Sequence, residues 1–86
     1  MYCTYILENH QKNLLRIGST ADLKQLLKER RNPDLVECSH LVYYEFCDSE
    51  AAAKEKEAVL RAMTRKERAD FIKAFNPEER DLSAEL

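Results

Sequence analysis

The chain has 86 residues, enough for one domain with a modest core and too few for two. Its residues are 44% hydrophobic and 35% charged, with the charges mixed in sign and summing to −2, which suits a folded domain and excludes a global basic field for nucleic acid. No apolar run approaches the ~20 residues that span a bilayer, and MYCTYILEN lacks the basic start and small-residue cleavage site of a signal peptide. A cytoplasmic location without membrane contact is therefore expected.

In chain order, YCTYILE at 2–8 carries aromatic and β-branched residues in loose alternation and reads as a strand. ENHQKN at 8–13 is turn-prone, and NLLRIG at 13–18 reads as a second strand closing a hairpin. Gly18, the sole glycine, then stands at a corner, where it tolerates positive φ or lets backbone approach closely. Ser19 or Thr20 is the expected N-cap of the next helix, with Asp22 in its first turn. Leu23, Leu26 and Leu27 form one apolar stripe, while Lys24, Lys28 and Glu29 face water. RRNPD should stop that helix, because the residue before Pro33 is pushed out of the α region.

CSHLVYYEFC at 38–47 is the clearest strand. Strict alternation puts Val42, Tyr44 and Phe46 on one face and Leu41, Tyr43 and Glu45 on the other. Asp48 or Ser49 caps a helix running to about Met63, whose buried stripe is Ala52 or Ala53, Val59 or Leu60, and Met63. TRKE at 64–67 matches a capping box and opens a helix bearing Phe71, Ile72 and Phe75, ended by Asn76-Pro77. EERDLSAEL is an acidic tail expected to fray except at Leu82. The whole is an α+β domain, residues 1–82, followed by a short C-terminal tail at 83–86. It has a three-stranded sheet flanked by three helices, in the order β-β-α-β-α-α.

Three cysteines, Cys3, Cys38 and Cys47, cannot all pair within one chain, which fits a reducing compartment. Cys38 and His40, with Cys3, Cys47 or His10, lack the spacing that sets two zinc ligands on one turn. The basic residues cluster at Lys24, Lys28, Arg30 and Arg31, and again at Arg61, Arg65, Lys66 and Arg68. If the two clusters meet around one cleft they favour nucleic acid; if the fold separates them they favour a protein partner.

With CTYIL at 3–7, RIGST at 16–20, DL at 22–23, LVYYEFCDSEAAA at 41–53, KE at 56–57 and NPEERDL at 76–82, the chain resembles the GIY-YIG nuclease domain, in particular its small stand-alone bacterial members. The resemblance covers nearly the whole chain and implies the same fold. It also implies descent from endonucleases that use one Mg²⁺ or Mn²⁺ ion. In such a site a carboxylate holds the metal, arginine offsets charge on the phosphoryl group, and tyrosine with a basic neighbour activates water. By this resemblance Tyr5 is the retained first-motif tyrosine, and Glu57 is the metal ligand with Glu55 as the alternative register. Gly18 and Asn76 belong to structural parts of the motifs.

The departures from the pattern carry as much weight. Arg16 stands for the second tyrosine, Leu26 for the arginine, and Arg30 for the following histidine. Loss of one phosphate-stabilising donor costs about 10²–10³ in rate, and guanidinium is no base at neutral pH. The resemblance thus implies a catalytically degenerate module in which Arg16 and Arg30 hold a phosphate ligand or a nucleic acid without cutting it. An active Mg/Mn-dependent endonuclease and a protein–protein adaptor or homodimer are the alternatives. Each residue also has a plain structural reading: Glu57 as an i,i+4 partner of Arg61, Tyr5 as a packed strand residue, Arg16 as a snorkelling surface cation, and Asn76 as a helix stop.

Overall fold

The computed structural model describes residues 2–9, 14–29 and 40–85. Its elements are β1 (Tyr2–Asn9), β2 (Leu14–Thr20), α1 (Leu23–Glu29), β3 (His40–Cys47), α2 (Glu50–Ala62), α3 (Arg65–Phe75) and a 3-10 turn (Leu82–Glu85). The strands form one antiparallel sheet ordered β2-β1-β3. The α+β fold and the β-β-α-β-α-α order are as expected. Among the described residues, no helix is long and apolar enough to cross a membrane. The expected helix stop at RRNPD, the hairpin turn at 10–13, Arg30, Arg31, His10 and Cys38 lie outside the described residues.

The middle strand organises the core. Cys3 through Leu7 are all buried, because β1 has a neighbour on each edge and a helical layer on each face. Cys3, Tyr5 and Leu7 pack with Leu23, Leu41 and Leu82, with Leu26, Leu27 and Tyr44 against them. On the other face, Ile6 packs with Ile17, Val42, Tyr43, Leu60 and Ile72, backed by Met63 and Phe71. Thr4, also fully buried, donates its hydroxyl to the Ala53 carbonyl at 2.8 Å. That bond satisfies the polar group and ties α2 to β1.

The two faces of β3 differ from strict alternation. Its register on β1 steps from Ile6↔Tyr43 to Leu7↔Leu41, leaving Val42 without a register partner. One extra residue reverses the parity of everything before it. Leu41 therefore joins the face of Tyr44 and Phe46, and Val42 joins that of Tyr43. Asn76 secures this bulge. Its Nδ2 donates to the Val42 carbonyl at 3.4 Å and to the Arg80 carbonyl at 2.8 Å, and its Oδ1 accepts from the Arg80 amide at 3.2 Å.

The helix starts follow side-chain chemistry. β2 extends through Ser19 and Thr20, which pair with Thr4 and Cys3, so neither caps α1. Asp22 does: its Oδ1 accepts from the Gln25 amide at 3.0 Å, and its carbonyl accepts from the Leu26 amide. Ser49 caps α2, and Thr64 and Glu67 form the reciprocal capping box of α3. Ala53 and Leu60 are the buried members of the α2 stripe; Ala52 and Val59 are exposed. In α3, Ile72 is buried and Phe71 half-buried, while Phe75 is left largely in the open.

The acidic tail closes over β3. Leu82 is buried in the cluster with Tyr5, and the Asp81 carboxylate accepts from the Leu41 and Ser83 amides, each at 3.1 Å. Partial burial by itself raises the Asp81 carboxyl, but the bonds from Ser83 and Leu41, with His40 nearby, outweigh it and hold it below the usual carboxylate range. A depressed folded pKa contributes stability above the unfolded value of about 3.9, and that stability disappears as pH falls through the folded value. Asp81→Asn should therefore unfold more readily in urea at pH 7, by about 0.5–1 kcal/mol given the site's exposure. The gap to wild type should close as the pH falls through the folded value; a gap that stays constant with pH would remove the carboxylate from this role.

Candidate functional site

Gly18 is part of β2, directly opposite Tyr5, and its φ is not positive. The corner reading is thus corrected in favour of close approach. A Cβ at position 18 would lie 2.6 Å from the Tyr5 hydroxyl oxygen, 2.9 Å from Cζ and 3.3 Å from Cε2. The Tyr5 ring crosses from the central strand onto β2 and rests where a side chain would otherwise stand. It is 8% exposed, so Tyr5 is a packed strand residue whose hydroxyl reaches the edge strand.

Arg16 lies two residues before Gly18, on the same face of β2, opposite Leu7 and exposed. Between them, Ile17 turns its side chain into the opposite core, while its carbonyl accepts from Arg61 Nη2 at 2.6 Å. Arg61 Nε in turn donates to Glu57 Oε2 at 3.1 Å. The Glu57 side chain is 23% exposed and that of Arg61 59%, so the carboxylate is partly sheltered while the cation stays open to solvent. Tyr5, Arg16 and Gly18 thus share one face of the sheet, while Glu57 and Arg61 reach β2 from the helical layer on the other face. Glu55 is exposed on the same helix.

Other sequence candidates fall elsewhere. Asn76 sits against β3, two strands from β2, and its amide is engaged in holding the bulge. Arg30 lies outside the described residues. Leu26, where the resemblance implies an arginine, is half-buried against the cluster that contains Tyr5. Among the described residues, no group of three or more His, Cys, Asp or Glu is placed to hold a metal ion. Burial pushes the Cys3 thiol up to about 11, so it packs as a small hydrophobe.

Among the described residues, the basic side chains of the two clusters do not converge. Lys24 and Lys28 ride on α1, which covers the Tyr5 face, whereas Arg61, Arg65, Lys66 and Arg68 belong to the helical layer on the opposite face. Arg68 serves the fold: its Nε donates to the Leu60 carbonyl at 3.2 Å and its Nη2 to the Met63 carbonyl at 3.1 Å, closing the end of α2. The bond from Arg61 to Ile17 is the feature that spacing did not reveal. The i,i+4 relation to Glu57 was visible, but the carbonyl is 44 positions away.

The Tyr5–Gly18 contact is testable by a double-mutant cycle. Gly18→Ala should destabilise the protein by about 1–2 kcal/mol through overpacking. In a Tyr5→Leu background the same change should cost at least about 1 kcal/mol less. Equal costs in both backgrounds, measured by urea unfolding, would mean that the ring does not rest on Gly18. Compared with known proteins, this chain matches no family model, no curated protein and no solved structure.

Proposed function

We propose that this chain is a non-catalytic, GIY-YIG-like binding module of the bacterial cytoplasm, which holds a phosphate ligand or nucleic acid along β2. The observation that carries this reading is the environment of Leu26. Where cleavage would require a cation facing the scissile phosphate, there is a leucine packed against the cluster of Tyr5. A hydrocarbon there cannot offset phosphoryl charge, and replacing one such donor lowers the rate by about 10²–10³. Glu57 points the same way, because its carboxylate is already neutralised by Arg61.

What remains along β2 is suited to binding. Arg16 is exposed beside the Tyr5–Gly18 contact, and Arg61 is fixed at the same strand by Ile17 and Glu57. Guanidinium groups stay charged and bond phosphate in two directions. With a net charge of −2, affinity for a polyanion depends on these local cations and falls with salt.

A protein–protein adaptor is the second reading. The separation of Lys24 and Lys28 from Arg61, Arg65, Lys66 and Arg68 by the sheet favours it, since no continuous cationic track joins them among the described residues.

Fluorescent single-stranded, duplex and branched oligonucleotides, incubated with Mg²⁺ or Mn²⁺, test the proposal. We expect no cleavage, and weak salt-sensitive binding that drops about tenfold in the Arg16→Ala/Arg30→Ala variant. Metal-dependent cutting abolished by Glu57→Ala or reduced by Tyr5→Phe would establish the endonuclease alternative instead. Undetectable binding of every oligonucleotide and of inorganic phosphate would leave the adaptor reading.

A further inference from the structure

The opposite edge of the sheet has a different chemistry. Aromatic rings follow one another around β3: Phe46 to Tyr44 at 5.7 Å between centroids, Tyr44 to Phe75 at 6.3 Å, Phe75 to Tyr43 at 4.8 Å, and Tyr43 to Phe71 at 4.9 Å. Tyr44 and Phe46 lie on one face of the sheet and Tyr43 on the other, so Phe75, which touches both sides, lies over the outer edge of the strand. The inner end of this series is covered, with Lys56 Nζ 5.5 Å from the Phe71 centroid. The outer end is open: Phe46 is 51% and Phe75 48% exposed.

Beside Phe75 runs a groove of about 260 Å³, lined by Pro77, Glu78, Arg80, Leu82 and Glu85. Glu78 and Glu85 share a single guanidinium, with Arg80 at 3.4 and 3.7 Å, and both carboxylates remain substantially exposed. Glu85 also meets the Tyr44 hydroxyl. Residues 78–85 carry four carboxylates against one arginine. Exposed aromatic faces with a carboxylate rim attract a cation carried next to an apolar group.

We propose that the outer edge of β3, with Phe46 and Phe75 as apolar anchors and Glu78 and Glu85 as the acidic wall, docks a basic, apolar peptide segment of a partner protein. Charge decides among possible occupants. A phosphate backbone would meet the acidic wall. A second copy docked through a two-fold axis would bring the same carboxylates face to face. A segment with lysine or arginine flanking leucine or phenylalanine satisfies both parts: its apolar side chain covers the exposed rings and its cation takes the carboxylate that Arg80 leaves underneutralised. This surface lies at the far edge from Arg16, so it stands whether or not β2 holds an anion, and it gives the adaptor reading a partner class.

Three fluorescein-labelled nonapeptides of equal length test it by anisotropy: one alternating Lys and Leu, one with Glu in place of Lys, and one with Ser in place of Leu. Only the Lys/Leu peptide should bind saturably. Its affinity should fall about tenfold with Phe75→Ser and again with Glu78→Gln/Glu85→Gln, and stay unchanged with Arg16→Ala. The Glu→Gln variant alters only exposed side chains, and circular dichroism confirms its fold. Equal binding of the acidic or serine peptide, insensitivity to both variants, or no saturable binding overturns the proposal. A doubled sedimentation mass abolished by Phe75→Ser also overturns it, in favour of self-association.

Discussion

β1 has to be covered on every side. It is hydrogen-bonded along both edges, and five successive side chains, Cys3 to Leu7, are buried alternately on two faces. Each large apolar side chain so buried contributes about 1.5–3 kcal/mol, which a short chain cannot forgo. The requirement divides the remaining elements. The leucine stripe of α1 and Leu82 of the tail cover Cys3, Tyr5 and Leu7; α2 and α3 cover Ile6 through Leu60 and Ile72. The positions of the charged residues follow from that division. Lysines on α1 and arginines on α2 and α3 end up with the sheet between them, one of the two arrangements that their clustering in the sequence left open.

The same constraint gives the sheet two chemically different edges. At β2, a glycine lets the Tyr5 ring reach across from the central strand, and Arg61 ties α2 to the Ile17 carbonyl while neutralising Glu57. At β3, a bulge frees the Val42 carbonyl for Asn76, Asp81 occupies the Leu41 amide, and aromatic rings wrap the remainder. An edge strand that offers unpaired backbone invites aggregation. Here side chains from elsewhere in the chain engage the Ile17 carbonyl at one edge and the Leu41 amide and Val42 carbonyl at the other, a cation at the first and an acid and an amide at the second. Functional readings based on anion binding and on protein docking thus refer to separate surfaces.

Much of the fold was legible because its signals are local. The capping box of Thr64 and Glu67 spans three residues, the leucine stripe of α1 five, and the Asn76-Pro77 stop two. What escaped depends on pairing across the sheet. Ser19 and Thr20 have good capping chemistry, yet β1 claims them as strand residues and leaves Asp22 to cap α1. The faces of β3 follow from a register step that no alternation pattern encodes. Ala52 and Ala53, or Val59 and Leu60, differ by one helical step, and only the position of the sheet selects between them. At the candidate site, Tyr5 lies opposite Gly18 with Arg16 on the same face, whereas Glu57 belongs to the helical layer on the other face and is linked to β2 through Arg61. The role of Gly18 as the seat of an aromatic ring, and of Arg61 as the cation on Glu57, required the third dimension.

The proposed non-catalytic role rests on Glu57 being held by the Arg61 cation in place of a metal ion. Amide-resolved NMR during Mn²⁺ titration tests it most directly, because the paramagnetic ion broadens resonances around any site it occupies. The account predicts that signals of Tyr5, Gly18 and Glu57 show no localised, saturable broadening at millimolar Mn²⁺. Saturable broadening centred on Glu57 and removed by Glu57→Ala would contradict it.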